Sequence, residues 1–399
     1  MPGEPGKDIA WCTAHTASNM ITISVHSKNC DPGSKADFHR GRNFTAPRAA
    51  PVARSPFAKQ RYVSTGIDYP FAETPAPGVA YPVANGIEWL RMPLPFALDH
   101  INLWLLRDGD GFTAVDTGFA LEETRAAWKS VLAGRRLDRV VVTHCHPDHL
   151  GNADWLRTET GAPLWITQGE YLAGQMISAQ QANYGIPGMV EFFLAHGLDE
   201  ARADALTRRG NSYKKGVPSI PPTYHRMFGG RSLRIDGREW RVIVGYGHAP
   251  EHASLYCAEA GVLISGDMLL PRISTNVPVL ATCPHDDPLR MFLDSIDAFR
   301  ELPADTLVLP SHGKPFRGLH ARVEQLHAHH DSRCALLLEA CATPKSAAEL
   351  IPVLFDREIP DPHQTMFAMG EAIAHLNFLE HRGELRRTTE AATIRFSRN

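Results

Sequence analysis

Thr143-His144-Cys145-His146-Pro147-Asp148-His149 places three imidazoles and a carboxylate within six positions. Zinc prefers such nitrogen and oxygen donors, and two ions held close together need many of them from short loops. In a tight loop the residues at i and i+2, His144 and His146, can point to one ion. Those at i+4 and i+5, Asp148 and His149, can then turn to a second. Further candidates stand alone: Asp116 in Val115-Asp116-Thr117-Gly118, His248 in Gly247-His248-Ala249-Pro250-Glu251-His252, Asp267 in Ser265-Gly266-Asp267, and His312 in Pro310-Ser311-His312-Gly313. A lone histidine is more often packing than chemistry, and Asp-Thr-Gly alone would suit a capped turn. What raises these above that reading is where they fall.

Nearly every one follows an apolar run. Arg139–Thr143 is a continuous β-branched stretch, the pattern of a strand buried on both faces, and it ends at His144. Phe112–Val115 stops at Asp116, Glu239–Val244 precedes His248, Val262–Ser265 precedes Asp267, and Thr306–Leu309 precedes His312. Further strands are expected at Glu88–Arg91, His100–Arg107, Pro163–Thr167, Ser232–Ile235 and Ala253–Ala258, with turns at Asp108-Gly109-Asp110-Gly111 and Asp236-Gly237. Helical spacing marks Leu121–Leu132, Leu150–Arg157 and Leu289–Arg300. An α/β sandwich of this order gathers its loop residues along one edge. Residues 168–223 break the alternation with helical pieces at Val190–His196 and Glu200–Arg208. They read as a helical insertion, which could offer the site an apolar wall from Met176, Ile177, Tyr184, Ile186, Met189, Phe192 and Phe193 or merely pack on the sandwich.

The string His144 to His149 resembles the HxHxDH signature of the metallo-β-lactamase superfamily, and the resemblance runs from Asp116 to His312. It implies a four-layer αββα sandwich and a hydrolase whose nucleophile is a hydroxide bridging two metal ions. Carried over by position, His144, His146 and His248 would hold the first metal, Asp148, His149 and His312 the second, and Asp267 would bridge them. Asp148 and Asp267 would be the catalytic carboxylates. Asp116 would be an acid orienting the metal loops, and His252 a supporting residue. Zinc is the expected metal, with iron and manganese as alternatives; His146 stands where diiron oxidoreductase relatives usually carry glutamate. Ala249 and Glu251 depart from the Thr-Pro-Gly-His pattern of many thioester-cleaving relatives. Cys145 alternates away from the ligands and reads as a structural thiol. Arg272 and Tyr184 are offered as substrate contacts.

The tail reads as helices at Ala321–Cys341, Ser346–Leu354 and Met366–His381, then a hairpin of Glu384–Arg387 and Ala392–Phe396. This is a small winged-helix-like domain over 321–399, resembling the β-lactamase-like 2 branch, which includes endoribonucleases. Arg382, Arg386, Arg387, Arg395 and Arg398 could form a phosphate patch there. His327, His329 and His330 are read as solvated helix residues. The sandwich domain is placed at 66–320, and residues 1–65 read as a disordered extension, poor in apolar pattern.

Bulk properties exclude little but point one way. Of 399 residues, 43% are apolar and 21% charged, as in an ordinary globular protein, and the net charge of -3 gives no global pull toward nucleic acid or an anionic membrane. No run approaches the roughly 18 apolar residues of a membrane span. Met1–Trp11 has no apolar core of a secretory signal, and the seven cysteines form no CxxC pair. A reducing cytoplasm is expected. A hydrolase of small acyl substrates (thioester, ester or lactone) is the first reading, a metal-dependent endoribonuclease the second. The expected partner is a small-molecule substrate; a homodimer is left open.

Overall fold

The computed structural model describes residues 66–399 apart from Pro360, so the extension expected over 1–65 lies outside the described residues. Among these, β1 (Tyr81–Ala84), β2 (Ile87–Pro93), β3 (His100–Asp108) and β4 (Gly111–Val115) form an antiparallel meander. β5 (Leu137–Val141), β6 (Leu164–Thr167) and β7 (His225–Met227) extend that sheet in parallel from β4. A second sheet runs in the order β12-β11-β10-β9-β8, from β8 (Ser232–Ile235), β9 (Arg238–Gly245), β10 (His252–Cys257), β11 (Val262–Gly266) and β12 (Leu307–Pro310). Only its β11–β12 pair is parallel.

The two sheets face each other over Trp89, Trp104, Val115, Val141, Trp240, Ile264 and Leu309, all essentially excluded from water. Burying a large apolar side chain is worth about 1.5–3 kcal/mol, so this inner layer contributes strongly to the sandwich's stability. The first sheet's outer face is covered by α1 (Glu122–Val131), α2 (Pro147–Leu150) and α3 (Ala153–Thr160). Hence β3 is buried on both faces and carries almost no polar alternation. The four layers implied by the metallo-β-lactamase resemblance are present.

The insertion contributes α4 (Gln168–Ser178), α5 (Ile186–Ala195), α6 (Glu200–Arg209) and α7 (Tyr213–Gly216). α8 (Pro288–Asp297) covers the second sheet, followed by α9 (Leu319–Ala340), α10 (Ala347–Phe355), α11 (Pro362–His381) and the hairpin β13 (Leu385–Glu390) and β14 (Thr393–Arg398). The start of α10 is set by a capping box between Ser346 and Glu349. One core joins Phe193 of α5, Leu206 of α6, Phe292 of α8, Leu337 of α9, Leu376 of α11 and Phe396 of β14. The insertion and the tail thus share one interior. Phe193 is buried there with Met189 and Phe192 against it, which explains their apolar character as packing.

Three expectations need correction. β1 and β7 were not anticipated: the first lies among proline and glycine, and the second is three residues long. β5 begins at Leu137 and ends at Val141; beyond it the Thr143 carbonyl accepts from Ala253 of the second sheet. His330 is buried against α11, its Nδ1 3.1 Å from His375 Nε2, and is not a solvated helix residue. No helix among the described residues is long and apolar enough to cross a membrane.

Candidate metal centre

Asp116, the His144–His149 loop, His248, Asp267 and His312 leave the ends of β4, β5, β9, β11 and β12, all at one edge of the sandwich. Asp116 holds a left-handed backbone (φ 66), a conformation that a non-glycine residue adopts at some strain. That turn aims its carboxylate at the next loop. Oδ1 accepts from Thr143 N (2.8 Å), and Oδ2 accepts from Thr143 Oγ1 (3.0 Å) and from His149 Nδ1 (2.8 Å). His149 therefore carries a hydrogen on Nδ1 and turns Nε2 toward the facing carboxylates.

Two groups of donor atoms converge, His144, His146, His248 and Asp267 in one and Asp148, His149 and His312 in the other, the atoms of each group within 4.8 Å of one another. In the first, His144 Nε2 lies 2.9 Å from His146 Nδ1 and 3.2 Å from His248 Nε2. In the second, Asp148 Oδ2 lies 3.7 Å from His149 Nε2 and 3.4 Å from His312 Nε2. Asp267 faces both: its Oδ2 is 3.5 Å from His248 Nε2 and 3.6 Å from His149 Nε2, and its Oδ1 is 3.5 Å from His312 Nε2. Donors on a tetrahedron around zinc, at 2.0–2.1 Å bonds, stand about 3.3 Å apart. His149 Nε2 and Asp267 Oδ1 are buried with no hydrogen-bond partner. Buried polar atoms are rarely left so, and cations at the two convergence points would satisfy both.

The charges agree with this. Burial, with neighbouring imidazoles, holds His144 well below its usual range and His146 at about 3, so both are neutral donors. Burial also works against charge on His312, yet Asp267 and Asp148 beside it push it up to about 10. Burial is likewise outweighed at His149 by Asp116, Asp148 and Asp267, which raise it well above the usual value.

A model of the metallo-beta-lactamase superfamily matches residues 97–312, more than half of the 399. The chain belongs to the metallo-beta-lactamase superfamily. A second family model, the C-terminal domain of metallo-beta-lactamase-like proteins, matches residues 334–399. A solved beta-lactamase domain protein from Burkholderia ambifaria is 46% identical with a TM-score of 0.79, over 84% of this chain and 100% of that one. The Bacillus subtilis (strain 168) protein named probable metallo-hydrolase YqjP is 26% identical over 323 residues, 77% of this chain and 96% of its own length. A Rhodobacter capsulatus hydroxyacylglutathione hydrolase is 26% identical over 227 residues, 55% of this chain and 64% of its own length. The chain is a hydrolase of this superfamily, with a site built to take divalent metal.

Around that superfamily site stand supports that the motifs do not reveal. His248 Nδ1 donates to Asn276 O (2.7 Å), fixing Nε2 as the atom that faces the centre. Asn276 Nδ2 in turn donates to Glu371 Oε2 of α11 (3.0 Å) and to the Phe367 carbonyl (3.2 Å). Burial pushes the Glu371 carboxyl up to about 7, against the Asn276 hydrogen bond. His312 Nδ1 donates to His100 O (2.9 Å), and His100 Nε2 accepts from Gly313 N (3.0 Å). Buried Glu170 accepts from Cys145 N (2.8 Å) and Glu251 N (2.7 Å), tying two metal loops together. None of these partners lies within a periodic or spaced pattern with the histidines, so sequence offered no signal for them.

The remaining expected residues separate. His252 Nε2 accepts from Asp267 N (3.1 Å), so it steadies the aspartate's backbone. Gly266 makes room for this: at φ +55, a Cβ there would sit 2.3 Å from His252 Nε2. Cys145 is buried and its thiol is pushed well up by burial and by Glu170, outside both donor groups. Tyr184 is half-buried, packed against the core on the outer face of the first sheet. Arg272 is exposed and lines a shallow depression with Ser274, Arg322 and His329. Neither is brought among the converging donors.

The pH dependence of loading follows. His312 is raised above its unfolded value in the metal-free chain, so its charge stabilises that state fully below about 6.5 and the contribution disappears as pH rises through about 10. A metal bound at these donors would have to displace a proton from His312 and from His149. Metal affinity is expected to rise between about tenfold and a hundredfold per pH unit across pH 6 to 8, with protons released. Competition with a chromophoric chelator at three pH values checks this; a flat profile would show that these imidazoles are neutral before loading.

Proposed function

We propose that the chain is a dinuclear zinc hydrolase of small acyl substrates, thioesters first among them. The observation that carries it is the convergence of seven donors, five of them buried, on two points, with His149 Nε2 and Asp267 Oδ1 lacking any hydrogen-bond partner. His144, His146 and His248 would hold one ion, Asp148, His149 and His312 the other, with Asp267 between them. Imidazole and carboxylate without thiolate is a donor set that suits zinc. When bound, two such ions lower the pKa of a shared water toward neutrality and polarise the substrate oxygen.

The chain's own groups then divide the work. Asp116 holds His149 in the tautomer that leaves Nε2 free, and Asn276 and His100 do the same for His248 and His312. The Asp148 side chain keeps 20% of its surface exposed and can pass a proton between water and leaving group. The relative named hydroxyacylglutathione hydrolase acts, by its name, on an acyl glutathione, which favours a thioester. The described cysteines are all free, which supports a reducing, cytoplasmic setting.

The ribonuclease alternative finds less support. Arg382 pairs with Glu384, Arg387 with Glu380, and Arg395 with Glu349 and Glu390, while Arg386 bonds Ser397. The winged-helix-like tail contributes these contacts and core packing rather than a free basic face.

Elemental mass spectrometry should find close to two zinc per purified chain, and that protein should cleave at least one of an acyl-CoA, acyl-glutathione and lactone panel. A fluorescent single-stranded RNA should remain intact at low salt. One iron per chain, or RNA cleavage without ester cleavage, would replace this reading.

A further inference from the structure

Beside the metal loops four distant segments meet. Phe96, from the β2–β3 connection, stands edge-on to Phe119 (ring centroids 5.6 Å) and stacks on His363 at the start of α11 (5.1 Å). Phe119 and Pro147 both press on Gly216, since a Cβ there would meet them at 2.5 and 2.6 Å. The aromatic cluster therefore adjoins the loop that carries His146 and Asp148. The charge of Asp148 reaches His363. Phe96 is 40% exposed and Phe367, against the other side of His363, is 38% exposed, so the cluster opens to solvent.

Arg209, the last residue of α6, comes in from the insertion. Its Nη2 donates to His363 Nδ1 at 2.6 Å. An imidazole accepting at Nδ1 carries its hydrogen on Nε2, which makes His363 a second donor. Arg209 is half-buried and makes no direct ion pair among the described residues, although the Asp361 carboxylate acts on it from beyond contact. A guanidinium held partly out of water, hydrogen-bonded to an imidazole and in direct contact with no carboxylate among the described residues, at the rim of an exposed aromatic cluster, is suited to an anion arriving with an apolar body.

We propose that Arg209 and His363, over Phe96 and Phe119, form a subsite for an anionic group on the substrate. This rests on the acyl-hydrolase reading for its reaction and adds a requirement for charge. The anion could be a carboxylate or a phosphate, and the substrates distinguish them. Three thioesters of one acyl group serve as probes: the neutral N-acetylcysteamine thioester, the glutathione thioester with carboxylates, and the coenzyme A thioester with phosphates.

In the zinc-loaded full chain, Arg209→Met should lower the ratio of kcat/KM for the anionic over the neutral thioester by about tenfold or more, chiefly through KM. Arg209→Lys should restore part of it. Loss confined to glutathione identifies a carboxylate, and loss confined to coenzyme A a phosphate. An unchanged ratio overturns the subsite. Calorimetric titration with S-methylglutathione and desulfo-coenzyme A, which lack a thiol for the metals, reads the subsite without turnover. If neither binds the unmutated protein, the subsite is wrong. If one binds in an Arg209-dependent way but no thioester is cleaved, the subsite stands and the acyl-hydrolase reading falls.

Discussion

Asp267→Asn should reduce metal content from two ions per chain to one or fewer and lower kcat/KM by about 10³-fold, about 4 kcal/mol of transition-state stabilisation. Both of its oxygens face imidazole nitrogens of the two donor groups, at 3.5 and 3.6 Å. An amide keeps the shape but replaces one oxygen with a nitrogen that cannot donate an electron pair to a cation. The change also removes the carboxylate that does most to keep His312 charged in the metal-free state, so that residue should titrate lower. The backbone anchor, Asp267 N to His252 Nε2, is untouched, and circular dichroism should show an unaltered fold. Elemental analysis and kinetics on the same preparation decide the matter. A variant that keeps two ions and near-normal turnover would remove Asp267 from between the metals.

Asp116 separates stability from loading. Asp116→Ala orphans the buried Thr143 N–H and the His149 Nδ1–H, at about 1–3 kcal/mol each, and leaves alanine in a left-handed backbone. A total loss of about 3–5 kcal/mol is expected, a fall of several degrees in the melting temperature of the metal-free protein. Asp116→Asn should behave differently. Asparagine tolerates the left-handed region and its oxygen can still accept from Thr143 N, so stability is largely kept. Its amide hydrogens, however, face His149 Nδ1 and favour the tautomer that puts hydrogen on Nε2. Metal affinity should fall about 10- to 100-fold with little change in melting temperature. Equal melting temperatures for the two variants would show that the carboxylate contributes nothing to the fold beyond its charge.

The converging donors were legible because chemistry and chain order coincide. His144, His146, Asp148 and His149 sit in one loop, and each later candidate follows a β-branched run. The sandwich was legible for the same reason: buried strands such as β3 and β5 lack polar alternation, and glycine-containing turns separate the antiparallel pairs. The supports were not. Asn276 matters to His248 through its backbone carbonyl, which any residue possesses, and Glu371 lies 95 positions from Asn276. Arg209 and His363 meet across 154 positions. β7 is a strand only because β6 supplies its partner, and three residues carry no period of their own. His330 was misjudged because the face of α9 it lies on is covered by α11, which is a fact about tertiary packing.

α11 passes from the rim of the metal loops to the terminal hairpin without a break. Near its start it holds Asn276 through Phe367 and Glu371; between these two, Gly370 O accepts from Val279 N, and further on Asn377 Nδ2 donates to the Pro284 and Asp286 carbonyls. The whole segment that follows Asp267 is therefore hung from a helix of the tail. Loss of the C-terminal helices is therefore expected to remove the support of His248 as well. Metal bound at His248 should therefore also protect strands far from it, and residues 66–399 should denature as one cooperative unit rather than as two modules in succession.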